Sequence, residues 1–319
     1  MRLSTEIFRS HDATAAENLR IALLAATGGR GGLLSSDRPF EISVNIHNGI
    51  LEVVKLQCLG ITRSGRLVDI SFDSGFKHSA DLRISVPAED SNETFLLVVQ
   101  MMPGESREIN DNFSEDSYRF CLVDENSILD DDALPVGRLV NQYGWRMDET
   151  DFVPPCLYVN AHHKYEEALV RAEDVLKSVR NKCTDAQDCL AKILVSMLWP
   201  AAANGAIILD RERQTLTPER LAEVLQRTVD AFSMGCAVDP YISLESADQF
   251  FMYGRSAHDD KRLLESIERG ITLCNEINIK MDAVASLTDD PKPQPPEKTP
   301  EKKKPETGPN KRRWAGIEV

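Results

Sequence analysis

Two consecutive prolines, Pro154 and Pro155, constrain the fold of this chain more than any other feature of its sequence. Each proline ring fixes φ and removes a backbone donor, and each disfavours helical geometry at the residue before it. Neither a central strand nor a helix can therefore run through this point. Apolar residues alternate with period two before the pair and recur every three or four positions after it. We predict a two-part chain joined at a stiff pivot.

The residues before the prolines have the pattern of antiparallel strands. From Phe40 to Ile46 apolar and polar residues alternate, and Asn48-Gly49 is the sequence of a two-residue hairpin turn. The first strand is followed by seven further runs, each bounded by Gly, Asn, Asp, Ser or Pro, at residues 50–56, 59–63, 66–72, 82–86, 94–101, 117–123 and 134–142. About eight short strands without helices between them predict an all-β sandwich over residues 35–155.

The residues after the prolines have apolar stripes of helical period. Thr184-Asp185 is a candidate start signal for the second helix, and Thr217 with Pro218 is an N-cap followed by proline at the first helical position. The stripes cover residues 169–183, 190–198, 217–232 and 258–285. Four amphipathic helices with modest loops predict a helical bundle over residues 156–288.

The two ends of the chain differ from these domains. Residues 1–34 contain a helical pattern at residues 12–26, which the glycine-rich run 28–32 ends, and then a linker. Residues 289–319 combine prolines with Lys and Arg and contain too few apolar residues to form a core, so we predict a disordered basic tail. The predicted class is therefore a multidomain α+β protein.

Composition restricts the class of function. The net charge of −14 argues against nucleic-acid binding, which depends on Lys and Arg. The 7 cysteines are scattered and fit reduced, buried thiols rather than disulfides. Residues 193–209 lack charge, but they fall short of the roughly 20 residues of a membrane span and contain Pro200 and Gly205, so we predict a buried helix followed by a turn. With no signal-peptide pattern, we expect a cytoplasmic protein without direct membrane insertion.

Three motifs suggest chemistry, and each has a simpler interpretation. The glycine-rich run 28–32 closes a helix, whereas a phosphate-binding loop opens one. His163 and Glu167 lie one helical turn apart, but two ligands are too few for a metal site, and a polar first turn explains them. The acidic run 130–132 lacks the glycine and spaced ligands of a calcium loop and fits a solvated loop, with a partner contact as the alternative. We predict no catalytic, cofactor-binding or metal-binding residues.

The last helical stripe contains a polar residue, Asn278. A lone Asn in an apolar seam can set register and oligomeric state where helices pack across a symmetry axis. The alternative is that the stripe shifts to Ile277 and Asn278 faces water. On the first interpretation the oligomer interface consists of Leu264, Ile267, Ile271, Cys274, Asn278 and Met281.

Several short motifs occur in a characteristic order along residues 1–285. They are Arg119-Phe120-Cys121-Leu122-Val123, Leu134-Pro135-Val136-Gly137-Arg138-Leu139, Phe152-Val153-Pro154-Pro155-Cys156-Leu157, Thr217-Pro218-Glu219-Arg220-Leu221 and Pro240-Tyr241. In this order the chain resembles TssK, the baseplate subunit family of type VI secretion systems.

The resemblance implies a β-sandwich shoulder like that of siphophage receptor-binding proteins, a helical bundle that forms a homotrimer, and no enzymatic activity. It also implies that the shoulder binds the wedge subunits TssF and TssG and that the protein connects them to the inner-membrane complex. The head domain that usually follows in the family has no counterpart after the fourth helix, which indicates a compact variant.

The function predicted from these features is that of a structural adaptor in a contractile secretion baseplate. We expect partner binding through Phe8, through Leu19 and Leu23 of the first helix, and through the basic, aromatic tail residues Lys311, Arg312, Arg313 and Trp314. A phage-type receptor-binding shoulder protein and an enzyme with an intersubunit site near His162 and His163 are the alternatives.

Overall fold

The computed structural model describes residues 5–72, 82–87, 94–110, 113–142, 144–241 and 256–287, with side chains described outside 5–12 and 103–116. A long helix comes first, then nine strands, then four helices and a short 3-10 turn at Val159–Ala161, all within the described residues. The helices are α1 (Thr5–Thr27), α2 (His163–Asp185), α3 (Lys192–Arg211), α4 (Pro218–Val238) and α5 (Lys261–Ala285). The strands are β1 (Gly32–Leu33), β2 (Glu41–His47), β3 (Ile50–Ile61), β4 (Leu67–Phe72), β5 (Arg83–Ser85), β6 (Thr94–Asn110), β7 (Phe113–Asp124), β8 (Ala133–Asn141) and β9 (Trp145–Met147).

The strands form two antiparallel sheets. In the first sheet β1, β2, β4 and β5 all pair with the long strand β3, and in the second the order is β7-β6-β8-β9. The predicted hairpin is confirmed, because Asn48 and Gly49 both have positive φ, at 52° and 71°. The expected break between residues 56 and 59 is wrong: β3 continues to Ile61 because β4 pairs with it from Leu56 onward.

The two sheets and the helices share one hydrophobic core. Leu51 of β3, Leu97 of β6 and Leu169 of α2 are fully buried in the same cluster. The sheets approach closely at Gly60, where an added Cβ would lie 2.7 Å from Leu134 Cδ2. Two antiparallel sheets followed by helices confirm the predicted α+β class.

The four long helices after the prolines pack in a ring in the order α2-α3-α4-α5. In this ring α3 and α5 each contact both α2 and α4. Both α4 and α5 begin next to the sheets: Glu219 lies 3.5 Å from Arg30 Nη1, and the N–H of Asp260 donates to the carbonyl of Val153 at 2.9 Å. The helices α4 and α5 are therefore parallel.

The helix α3 differs from its prediction at both ends. It continues through Pro200 and Gly205 to Arg211, so the expected turn is absent, and Thr184-Asp185 belong to the last turn of α2. Its start is capped from α4 instead, since Asp239 Oδ2 accepts from the N–H groups of Ile193 and Leu194 at 3.1 and 3.0 Å. Packing against neighbouring helices offsets the cost of an internal proline, which local pattern alone cannot show.

Candidate partner-binding surfaces

The helix α1 lies on the turn between β3 and β4. Arg20 Nη1 donates to the carbonyl of Ser64 at 2.7 Å. At Gly65, with φ of 88°, an added Cβ would lie 2.7 Å from the Arg20 carbonyl oxygen and 3.0 Å from Leu24 Cβ. Only glycine allows this approach, so the predicted Ser64-Gly65 turn also positions α1.

The opposite side of α1 is open. Leu19 is 49% exposed and Ile21 is 52% exposed, while Leu23 is half-buried. Phe8 belongs to the helix, but its side chain lies outside the described part of the chain. The apolar face predicted for partner binding is thus available at Leu19.

The acidic run 130–132 joins this turn rather than standing free in solvent. Arg66 Nε donates to Asp132 at 3.0 Å, and Arg63 Nη2 lies 2.9 Å from Asp131. Ser64 Oγ also donates to Asp132. The carboxylates therefore connect the loop to the β3–β4 turn on which α1 rests. Among the described residues there is no group of three or more His, Cys, Asp or Glu side chains that could hold a metal ion.

His162 is the N-cap residue of α2. Its Nδ1 accepts from the backbone N–H of Lys164 at 3.3 Å, and the side chain is buried beside Phe40 and His163. Burial, with smaller contributions from His163 and Lys164, lowers the pKa of His162 to about 3. The imidazole is therefore neutral at physiological pH and serves as the N-cap of α2.

The proline segment is held from both sides. The residues from Phe152 to Leu157 are all buried. The N–H of Leu33 donates to the carbonyl of Pro155 at 2.7 Å, and the N–H of Cys156 donates to Asp260 Oδ2 at 2.7 Å. Strand β1 and the start of α5 therefore both contact the segment through hydrogen bonds, and the predicted pivot stays a prediction.

A charge network adds a second connection between the sheets and α5. Arg138 of β8 lies 2.5 Å from Asp148, 3.2 Å from Glu125 and 3.7 Å from Asp259. Burial raises the pKa of Asp259, whereas for Asp148 the opposing effect of burial is outweighed by the Asp151 N–H and by Arg138, which lower its pKa. His258 Nε2 lies 2.9 Å from the carbonyl oxygen of Ser127 in the same region.

The stripe of α5 that was predicted to form the oligomer interface serves another purpose. Ile267, Cys274 and Met281 are fully buried, and Ile271 is 4% exposed, all within this chain. Leu264 packs against the same core, and Asn278 accepts from Ser178 Oγ of α2 at 2.9 Å. These side chains complete the core of a single chain, so a contact with a second copy has to use another face.

An exposed and uncharged face lies on α3. Ile193, Met197, Pro200, Asn204 and Ile207 fall on one stripe of this helix, and Ile193 and Ile207 are 44% and 46% exposed. In the described part of the chain α3 is the one helix long and apolar enough to cross a membrane, with 44% of the apolar window buried inside the protein. Its buried side faces the bundle, which is the arrangement of a core helix with an apolar outer stripe.

Three of the cysteines are buried thiols with a raised pKa. Cys58, Cys183 and Cys274 are buried, and burial raises the pKa of each to about 12. The expectation of buried small apolar residues is therefore met at these positions.

Two antiparallel sheets joined to a ring of four helices define a two-part α+β architecture. No protein-family model matches the sequence, and no curated protein matches it. Solved structures do match the fold. TssK of the EAEC type VI secretion system, in complex with the nanobody nb18, aligns with a TM-score of 0.55 and 15% identity over 85% of this chain and 68% of that chain.

Two further structures give the same result. A crystal structure of TssK aligns with a TM-score of 0.55 and 14% identity over 87% of this chain and 67% of the other. A chain of the TssK-TssF-TssG baseplate subcomplex, solved by cryo-electron microscopy, aligns with a TM-score of 0.51 and 14% identity over 88% of this chain and 96% of that chain. The chain has the fold of TssK, and the resemblance predicted from the sequence is confirmed at that level.

Proposed function

We propose that the protein is a non-enzymatic structural adaptor of a type VI secretion baseplate. The observation that carries the proposal is the likeness of fold to TssK over 85% to 88% of the chain, a share too large to omit either the sheets or the helices. The titratable groups support it, because His162, Asp260 and Arg138 all serve internal contacts.

We propose that the β-sandwich part of the chain binds the wedge subunits. We assign residues 35–155 to a β-sandwich shoulder and residues 156–288 to a four-helix bundle, with 1–34 as the N-terminal helix and linker. The TssK-TssF-TssG subcomplex shows a protein of this fold with two partners, and TssF and TssG are the proposed partners here. The open apolar face of α1 supports Leu19, with Phe8 and Leu23, as part of the contact.

A homotrimer is proposed to form through the outer stripe of α3. An exposed helix face without charge over 15 positions, from Ile193 to Ile207, is unusual for a monomer, since large exposed apolar patches mark interfaces. We propose this face as the oligomer interface in place of the α5 stripe, because the α5 stripe is buried within one chain. A three-fold arrangement would bring the α3 helices of three copies together.

Light scattering with size-exclusion chromatography tests the trimer. The expected mass is three times 35.6 kDa. Ile207→Glu should shift the protein toward the monomer without unfolding it, because the side chain is half exposed. Ile279→Glu on α5, where the side chain is 69% exposed, is the matched control and should remain a trimer. A monomeric wild type, or equal behaviour of the two variants, would refute this interface.

The proposal also covers the C-terminal tail and the cellular location of the protein. Lys311, Arg312, Arg313 and Trp314 lie outside the described residues, and we propose that they bind an acidic groove of a partner, with the inner-membrane complex as one candidate. A cytoplasmic location fits this role. Removing the residues after Asp290 should leave the trimer intact.

Co-purification tests the function as a whole. The full-length protein should form a stable complex with TssF and TssG from the same organism when the three are produced together. The single substitution Leu19→Glu should weaken the complex, whereas Ile279→Glu should not. No complex with TssF and TssG would count decisively against the baseplate role.

A further inference from the structure

The strand β2 is hydrogen-bonded on one side only. It pairs with β3 and with no other strand in the described part of the chain. In a two-residue hairpin the residues flanking the turn form a hydrogen-bonded pair, here His47 and Ile50. Bonded pairs alternate, so His47 and Asn45 direct their backbone groups to β3. The backbone N–H and C=O groups of Val44 and Ile46 therefore point to the open edge.

This edge has few of the features that protect edge strands. Proteins usually block such edges with proline, lysine, inward-pointing charge or very short strands. The strand β2 has seven residues, Glu41–His47, and no proline or lysine, and positions 42–46 carry no charge. One register shift, between Ser43 and Val44, is the only interruption of its pairing with β3. Such an edge is a template for a further strand.

A groove lies beside the open edge. It has a volume of about 440 Å³ and runs between β2 and β9, the edge strand of the other sheet. One wall is formed by Ile42, Val44 and Ile46, which are half-buried, and the other by Trp145 and Met147 together with the charged residues Arg146 and Glu149. A strand added to β2 would direct every second side chain into this groove.

We propose that β2 accepts an extended segment of a partner protein as an additional strand of the first sheet. Charge defines the segment: the acids that flank the edge are already paired, Glu41 with Lys55 at 2.8 Å and Glu52 with Arg83 at 3.1 Å. An incoming strand therefore meets no unpaired charge on β2 along positions 42–46, and the charged residues of the groove, Arg146 and Glu149, lie on the β9 side. The occupant is an uncharged stretch with apolar side chains at alternate positions, supplied by the TssF–TssG wedge. The identity of the partner rests on the proposed function.

Residue-resolved hydrogen exchange on the full chain, alone and in complex with TssF and TssG, tests the proposal. The amides of Val44 and Ile46 should exchange at least about tenfold more slowly in the complex, because they gain hydrogen bonds. The amides of Asn45 and His47 already bond to β3 and should change much less. This alternating pattern distinguishes strand addition from a contact made by side chains alone.

A variant gives an independent readout. Val44→Lys places an inward-pointing charge on the edge, a device that natural edge strands use against pairing, and should weaken the complex at least about tenfold. Val170→Lys on α2, where the side chain is 46% exposed, is the matched control and should bind normally. Circular dichroism and the oligomeric mass establish that both variants are folded.

The outcomes separate the two proposals. A complex that forms without slower exchange at Val44 and Ile46 overturns strand addition and leaves the baseplate role standing, whereas no complex at all overturns both. Slow exchange of these amides in the isolated protein would also overturn the proposal. It would assign the edge to a second copy if it depended on protein concentration, or to the chain's own tail if it vanished after deletion beyond Asp290.

Discussion

The carboxylate of Asp260 accepts a hydrogen bond of 2.7 Å from the backbone N–H of Cys156, the residue that follows Pro154 and Pro155. The N–H of Asp260 donates in turn to the carbonyl of Val153, on the other side of the two prolines, at 2.9 Å. One residue at the start of α5 therefore holds both ends of the proline pair. Two hydrogen bonds of Asp260 therefore connect the start of the bundle to the segment that follows the sheets.

Replacing Asp260 should destabilise the whole chain. The side chain is 1% exposed, and Asp260→Ala removes the acceptor of a buried N–H, at a cost of about 2 kcal/mol in the free energy of unfolding. Urea unfolding with tryptophan fluorescence measures the loss. Asp174→Ala on the exposed face of α2 is the control and should change stability by no more than about 0.5 kcal/mol. Equal stability of the two variants would show that the contact contributes nothing.

Removing Arg138 should also be costly, because its side chain is only 12% exposed and faces three carboxylates. Arg138→Met leaves Asp148, Glu125 and Asp259 without this cation, and we expect a loss of about 3 kcal/mol. The control is Arg171→Met, which removes an ion pair with Glu268 that is half exposed, and should cost about 0.5 kcal/mol or less. Thermal or urea unfolding compares the two, and similar losses would contradict a special role for the buried network.

Stability should decrease as the pH falls below about 6.5 because of His162. Burial lowers its pKa in the folded state from 6.5 to about 3, so between these values the unfolded chain binds a proton that the folded chain does not. The contribution of this group is fully present above pH 6.5 and falls by about 1.4 kcal/mol per pH unit below it.

The variant His162→Asn isolates this effect. Asn keeps an N-cap side chain for α2 but has no proton to gain. The slope of the unfolding free energy against pH between about 6 and 4 should therefore correspond to the uptake of one proton fewer on unfolding. His258→Asn, at a more exposed site, is the control. An unchanged slope in His162→Asn would show that another group controls acid unfolding.

Local rules predicted the elements whose signals lie within a few residues. The Asn48-Gly49 hairpin, the helix stop at Gly28 and the Thr217 cap all follow from backbone preferences, and Thr217 indeed accepts from the N–H of Arg220 at 3.2 Å. The start of α3 was mistaken because its cap, Asp239, comes from another helix 46 residues away from Ile193. A sequence pattern of short range contains no information about such a contact.

For the candidate surfaces too, some features were visible in the sequence and others depend on how the elements pack. The uncharged run from Ile193 to Leu209 was visible in the sequence, but the half of it that faces outward depends on how α2 and α4 pack. The α5 stripe was equally visible, and its apolar spacing is the same for an interface between copies as for the core of one chain. The open edge of β2 could not be predicted, because it requires knowing which strands pair with β3.

The helices α3 and α4 pack closely against each other at Gly235. In α4, a Cβ added at Gly235 would lie 2.9 Å from Leu194 Cα and would also overlap Leu194 Cδ1, whereas one added at Gly205 would meet only side-chain ends, Val224 Cγ1 at 3.0 Å and Leu176 Cδ1 at 3.1 Å. Side-chain ends can move by a few tenths of an ångström, but backbone atoms of a packed helix cannot do so without shifting α3 against α4.

Gly235→Ala should therefore destabilise the chain by about 2 kcal/mol, even though alanine favours the helix by about 1 kcal/mol. Gly205→Ala is the matched control within the same bundle and should lie within about 1 kcal/mol of wild type, since the gain in helix propensity offsets the tighter packing. Urea unfolding of the two variants side by side measures the difference. If Gly235→Ala were as stable as Gly205→Ala, the close contact between α3 and α4 at Leu194 would be ruled out.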